Sequence, residues 1–172
     1  EKMKALMANA RAIDLVTLKD ELQRSAELEA AGGPAYLASL TDGLPRALNL
    51  YQMAPYFIGY LRALGVGPEQ LRVSRPMTAE RFRQGSRRGA IDTCYPSKLA
   101  LAAVYDLLNG GGADWIFFPI LVNLPGAVTP AVDAWVCPTS QATPDVVRAA
   151  LTREGDAFAA RGIEYLAPVL HM

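Results

Sequence analysis

From residue 44 onward the chain alternates short apolar runs with helical stripes. Residues 46–51, 71–74, 90–93, 115–118, 134–136 and 163–166 read as strands. The run Trp115-Ile116-Phe117-Phe118 is continuously apolar, the pattern of a strand buried on both faces. Between these runs, Pro55 opens a helix with Phe57, Ile58, Leu61 and Leu64 on its apolar face, closed by Gly65. Thr78 caps a helix that runs through Arg83. Pro96 begins another, with Leu99, Ala102, Ala103 and Leu107 on one stripe and Asn109 followed by three glycines at its end. Residues 143–145 start a helix through Leu151, and Phe158 lies on a further one. This alternation argues for an α/β fold, a mostly parallel layered sheet with flanking helices.

Residues 1–43 differ in period. Leu6, Ala10 and Ile13 follow a helical stripe, and Leu18 and Leu22 stand four apart on one face. Thr17 suits a helix cap, with Asp20 and Glu21 in the first turn, where the helix dipole favours acids. Gly32-Gly33 stops a helix, Pro34 opens one that ends near Leu40, and residues 41–43 read as a turn. The α/β part, residues 44–172, is thus preceded by a short all-helical segment, residues 1–43.

Composition narrows the classes. Of 172 residues, 51% are hydrophobic and 20% charged, which fits a globular core. Lys+Arg and Asp+Glu are equal at 17 each, so bulk charge gives no argument for direct nucleic-acid contact or an anionic membrane. No apolar run reaches the ~18 residues of a membrane span. Asn9, Arg11 and Asp14 interrupt any signal-peptide pattern, so the expected location is the cytoplasm, where thiols stay reduced. The single histidine, His171, leaves no base for a Ser-His or Cys-His mechanism and no His-rich zinc site. Phosphate-loop and dinucleotide-binding glycine motifs are absent. No independent catalysis is expected.

The candidate chemistry lies in the two cysteines, Cys94 in Cys94-Tyr95-Pro96-Ser97-Lys98 and Cys137 in Cys137-Pro138-Thr139. Each stands where an extended run gives way to a proline and a helical pattern. A helix start favours a thiolate through its unpaired N–H groups and dipole, and Lys98 adds charge near Cys94, which makes Cys94 the more reactive of the two. In open parallel sheets sites gather at the carboxyl ends of strands, so both thiols fit one edge. The other reading is two small inert thiols in proline-shaped loops. Arg72, Arg75, Arg81, Arg83, Arg87 and Arg88 read either as a solvated face or as a dock for a phosphate group or an acidic partner. Arg46 and Asn49 are placed at a strand end or in the cleft; Trp115, Phe117 and Phe118 belong to the core; Ser97 and Thr143 read as helix caps.

Four blocks carry a resemblance: LPRALNLY at 44–51, GAIDTCYPSKLA at 89–100, DWIFFP at 114–119 and VCPTSQATPDVVRAALTREGDAFAARGIEYL at 136–166. In that order they resemble the 2-hydroxyacyl-CoA dehydratase activase-related (DUF2229) family. The resemblance implies an accessory domain in ATP-driven, low-potential electron transfer. It is one related to dehydratase subunits that hold a 4Fe–4S cluster through cysteines at strand ends. Cys94 and Cys137 would be the metal ligands, with Lys98 beside the cofactor. A cubane takes four thiolates, and Ile120-Leu121-Val122 offers no third, so this chain's ligand set is incomplete. Exogenous ligands, a second copy across a two-fold axis, or an activase or dehydratase partner chain would complete it.

A second resemblance covers AIDLVTLKDELQRSAELEAAGGPAYLASLTDGLPR, residues 12–46, which is similar to the second half of the N-terminal domain of DnaB-type replicative helicases. It implies a non-enzymatic module for hexamer packing and primase contact. The two resemblances share the run Gly43-Leu44-Pro45-Arg46-Ala47, as a chimeric sequence joined at a common motif would.

Overall fold

A computed structural model describes residues 42–89, 94–124 and 134–172. The helices expected before residue 41 and the strand expected at 90–93 lie outside the described residues. Six strands and four α-helices are described: β1 (Asp42–Leu44), α1 (Leu48–Ala63), β2 (Leu71–Val73), α2 (Ala79–Ser86), α3 (Tyr95–Gly110), β3 (Trp115–Phe117), β4 (Ile120–Asn123), α4 (Pro138–Thr152), β5 (Glu164–Leu166) and β6 (Val169–His171). The main sheet has the order β2-β1-β3-β5, parallel throughout, as the alternation of strands and helices predicted.

β3 and β5 do not stop their pairing where they end. Pro119 and Pro168 interrupt both chains at the same level, yet the Phe118 amide donates to the Leu166 carbonyl (2.8 Å) and the Ile120 amide to the Pro168 carbonyl (2.8 Å). β4 then pairs with β6, again parallel. The two chains thus form one long parallel ribbon broken by opposed prolines, which supply no ladder donor of their own.

The period-2 alternation of side chains decides which helix lies on which face. A Cβ on Gly43 would meet the Leu107 side chain of α3 at 3.4 Å and Ile116 at 3.2 Å, so this face looks toward α3. Leu44, on the opposite face, clusters with Leu61 of α1 and with Val66. Phe117 stacks edge-on against Phe57 of α1, ring centroids 5.4 Å apart, on that same side. α1 and α3 therefore cover opposite faces. Tyr165 is in register with Ile116 and shares the α3 face, where its hydroxyl donates to the Pro144 carbonyl of α4 (2.9 Å). Burial pushes the ionisation of that hydroxyl up, and it stays a donor.

Among the described helices α3 is the most buried. Ala100, Leu101, Ala102, Ala103, Val104, Leu107 and Leu108 are all buried. Its small residues admit α2 at close range: a Cβ on Gly85 would fall 2.4 Å from the Ala102 Cα, so only glycine fits there. Asp106, on the same helix, is 8% exposed. The Arg75 amide (3.1 Å) and guanidinium bond its carboxylate, with Arg81 at 3.7 Å. Burial alone would raise the Asp106 pKa, but the Arg75 bonds and charge, with that of Arg81, outweigh it and hold the carboxyl below its usual range.

Several boundaries move. The turn expected at 41–43 and the strand expected at 46–51 are corrected: β1 spans Asp42–Leu44, and α1 already begins at Leu48, with Pro55 inside it. The Asp42 and Gly43 positions look like turn chemistry, but a buried sheet centre selects glycine for close approach of α3, and tertiary packing overrides the local signal. α4 likewise starts at Pro138 rather than at 143–145, and Pro144 lies inside it. Residues 134–136 supply only a single bridge, Trp135 to Asn123. Phe158 leads into a 3-10 turn, Ala159–Arg161.

Candidate functional site

β1 is followed through α1 by β2 on one side, and the chain then returns to β3 on its other side. The gap between the carboxyl ends of β1 and β3 is therefore the point where strand order reverses, the usual place for a site in an open α/β sheet. A shallow cleft opens there, bordered by Asn49 after β1, by Phe118 and Pro119 after β3, and by Ser140 in the first turn of α4. Leu48, also on its border, has φ +49°, a left-handed conformation unusual for a leucine, so the backbone is strained where α1 begins.

Both cysteines are N-cap residues. Cys94 caps α3 and Cys137 caps α4, each with proline in the first two helical positions. Proline suits this place because its missing N–H would be unpaired anyway. Both thiols are free and exposed. Ser97 and Thr143, expected as caps, do something else. Both are buried, and their hydroxyls bond each other at 2.8 Å across 46 positions of sequence. Thr143 Oγ1 also donates to the Thr139 carbonyl (2.6 Å), and the Cys94 sulfur lies 3.3 Å from Ser97 Oγ. One polar chain thus runs from Cys94 through Ser97 and Thr143 to the first turn of α4, which Cys137 begins. The link pins the two cysteine-bearing helix starts side by side.

The Cys137 pKa is lowered, chiefly by the Ser140 amide and then by the Thr139 amide and hydroxyl. The thiol makes no complete cap bond, yet these donors stand ready for the ionised sulfur. The expectation of a reactive thiolate at Cys94 rested on its helix start and on Lys98; at Cys137 the structure supplies donors that favour a thiolate. Lys98 lies in the first turn of α3, its amide 3.2 Å from the Cys94 carbonyl.

The arginine-rich stretch divides. Arg75 and Arg81 hold Asp106, and Arg81 also donates to the Pro76 carbonyl (2.7 Å). Arg83 donates to the Ala79 carbonyl (3.2 Å). Arg75 and Arg81 thus tie the chain around α2 to α3, while the Arg83 bond stays within α2. Arg46 reaches over the Tyr51 ring at 5.9 Å, and its amide donates to the buried Ser74 hydroxyl (2.8 Å), which joins the turns after β1 and β2. Phe118 is buried and Phe117 packs on the core, as expected.

The chain matches the family described as CoA enzyme activase uncharacterised domain (DUF2229) over residues 41–172. It belongs to this family. The activase-domain match takes in every described element, from β1 to β6. Residues 1–55 match the DnaB-like helicase N terminal domain. The replicative DNA helicase DnaB of Treponema pallidum (strain Nichols) is 30% identical over 96 residues, which are 56% of this chain and 20% of the helicase. The chain spans about a fifth of that relative's length. No solved structure matches. Among the described residues no helix is long and apolar enough to cross a membrane.

Within the activase domain, the N-cap placement of both thiols was legible from the Cys-x-Pro and Cys-Pro spacings. The Ser97–Thr143 link was not, because it joins two helices far apart in sequence. Alkylation of the full chain, followed peptide by peptide, tests the Cys137 environment. Its rate is expected to rise with pH and level off with a midpoint below the ~8.5 of an ordinary thiol. A midpoint at or above that value contradicts the depressed pKa.

Proposed function

We propose that the activase-family part of this chain is an accessory domain of iron–sulfur electron transfer, and that Cys94 and Cys137 are its two thiolate ligands. The observation that supports this reading is the pair of exposed cysteines capping two helices tied together by Ser97 and Thr143 at the carboxyl edge of the sheet. The amides at Cys137 suit a ligand that must be deprotonated to bind metal. The ligand count fits only half of a cubane site: among the described residues no group of three or more His, Cys, Asp or Glu side chains could hold a metal. The remaining ligands come from outside this chain, from a second copy or from an activase or dehydratase partner. Anaerobic reconstitution of the full chain with iron and sulfide tests the reading. Thiolate-to-iron absorption is expected in the unaltered protein and lost in Cys94→Ser/Cys137→Ser; no absorption, or absorption that survives the double substitution, overturns it.

The match of residues 1–55 to the helicase domain favours a second reading, a non-enzymatic module that associates with copies of itself or with a helicase or primase. Leu37 lies in the GGPAYLASL block that carries this likeness. On this reading the full chain self-associates and Leu37→Asp lowers its mass in solution. A mass unchanged by the substitution counts against it.

A further inference from the structure

A groove lies between α2 and α3. Arg75, Arg81 and Gln84 border one side, and Tyr105, Asp106 and Asn109 the other, with Ala102 between them. Two more arginines extend it along α3. Arg161 donates to the Asn109 side-chain oxygen (3.0 Å). Arg72 reaches the end of the helix, where its Nη2 would lie 3.9 Å from a Cβ on Gly112. Arg72, Arg75 and Arg161 are exposed and Arg81 is half-buried. Among the side chains that line the groove Asp106 is the one acid, and it is buried. Glu80 stands beside it on α2, bonded to Gln84 (3.3 Å). Asp106 does not use up its two arginines. It accepts from Nε and one terminal nitrogen of Arg75. Arg81 sends Nη1 to the Pro76 carbonyl and approaches Asp106 through Nε, at 3.7 Å. One terminal nitrogen of each guanidinium is left without a partner among the described residues.

We infer that this groove docks an acidic segment of a partner protein, a short extended stretch carrying several Asp or Glu side chains. The spread of the charges selects a segment over a small anion. Arg75 and Arg81 stand at the level of Asp106, Arg161 at Asn109 and Arg72 at Gly112. From Ala102 to Gly110 the helix rises about 12 Å, at ~1.5 Å per residue. That is the length of about four residues of extended chain, at ~3.3 Å each. A single phosphate or carboxylate reaches one of these positions, whereas successive carboxylates reach them in turn. Arginine suits the task, because its planar fork bonds a carboxylate at two points. Charge balance selects a peptide over a nucleic acid. The chain carries 17 basic and 17 acidic residues, so the excess in the groove is local. A long polyanion running beyond the groove would meet acids as often as bases. Tyr105 is the one aromatic ring in the lining, so there is no row of rings on which bases could stack. The groove follows the carboxyl-terminal half of α3, so a docked segment leaves Cys94, at the other end of that helix, open.

Binding of a labelled hexaglutamate to the full chain, followed by fluorescence anisotropy, tests this. The peptide is expected to bind, more weakly as ionic strength rises. Arg72→Gln/Arg161→Gln removes two exposed charges and leaves the Asp106 pairs in place. It is expected to weaken binding about fivefold, the loss of two exposed ion pairs. Arg72→Lys/Arg161→Lys keeps both charges and is expected to bind more tightly than the glutamine variant. Arg153→Gln, whose arginine pairs with Glu154 outside the groove, is expected to bind as the unaltered chain does. Absence of binding overturns the inference, as does a loss in the lysine variant or in Arg153→Gln as large as that in the glutamine variant. A hexathymidylate that binds more tightly than the peptide assigns the groove to nucleic acid and also overturns it. Inorganic phosphate that displaces the peptide at equal total charge assigns it to a small anion, with the same consequence.

Discussion

The burial of α3 is the constraint on which the remaining structure depends. Strands of three or four residues make few ladder bonds each, and such a sheet holds together only when its faces are covered. α3 covers one face with a nearly unbroken set of alanine, valine and leucine side chains. Its small residues let α2 approach until Gly85 touches Ala102, and Gly43 lets the helix settle on the sheet centre. The two buried polar side chains of α3 are committed, Asp106 to Arg75 and Ser97 to Thr143, and Asn109 at its end bonds the Tyr105 carbonyl and Arg161. A buried carboxylate without Arg75 would be strongly unfavourable, so the turn after β2 is held to α3 by the need for a partner.

The same constraint places the candidate site. α3 ends in glycines that turn the chain into β3, so its start lies at the opposite, carboxyl edge of the sheet. Cys94 therefore caps α3 at the edge where the strand order reverses. α4 joins it there through a buried hydroxyl pair, and Cys137 comes with it. Strain is concentrated at the same edge, at Leu48, where β1 gives way to α1. The core thus fixes two thiols on helix starts and leaves both open to solvent, an arrangement that suits ligands or nucleophiles better than packing residues.

Much of the fold was legible in the sequence, because parallel strands and amphipathic helices leave different periods. The strands at 71–73, 115–117 and 164–166 lie within their expected runs, and α2 begins after Thr78, whose hydroxyl accepts from the Arg81 amide (3.3 Å). β1 was hidden because a glycine that serves close helix packing is indistinguishable, one residue at a time, from a glycine in a turn. The early starts of α1 and α4 were hidden by Pro55 and Pro144. A proline reads as a helix opening, although a buried helix tolerates one inside. Of the site, the cysteines and their helix starts were legible from proline spacing. The hydroxyl pair was not, since long-range polar pairing leaves no periodic trace. In the arginine stretch, the pairing of Arg75 and Arg81 with Asp106, the twelfth residue of α3, was not legible either, because the acid lies some 25–31 positions away in sequence.

The central claim is that α3 and α4 present their cysteines as one unit because Ser97 and Thr143 bond across the helices. A double-mutant cycle with Ser97→Ala and Thr143→Val, read by denaturant unfolding of the full chain, tests it most directly. Each single change leaves one buried hydroxyl short of a partner, so the pair is expected to couple by about 1 kcal/mol, with the double variant losing less than the two singles together. Additive losses, with no coupling between the two positions, would contradict the account.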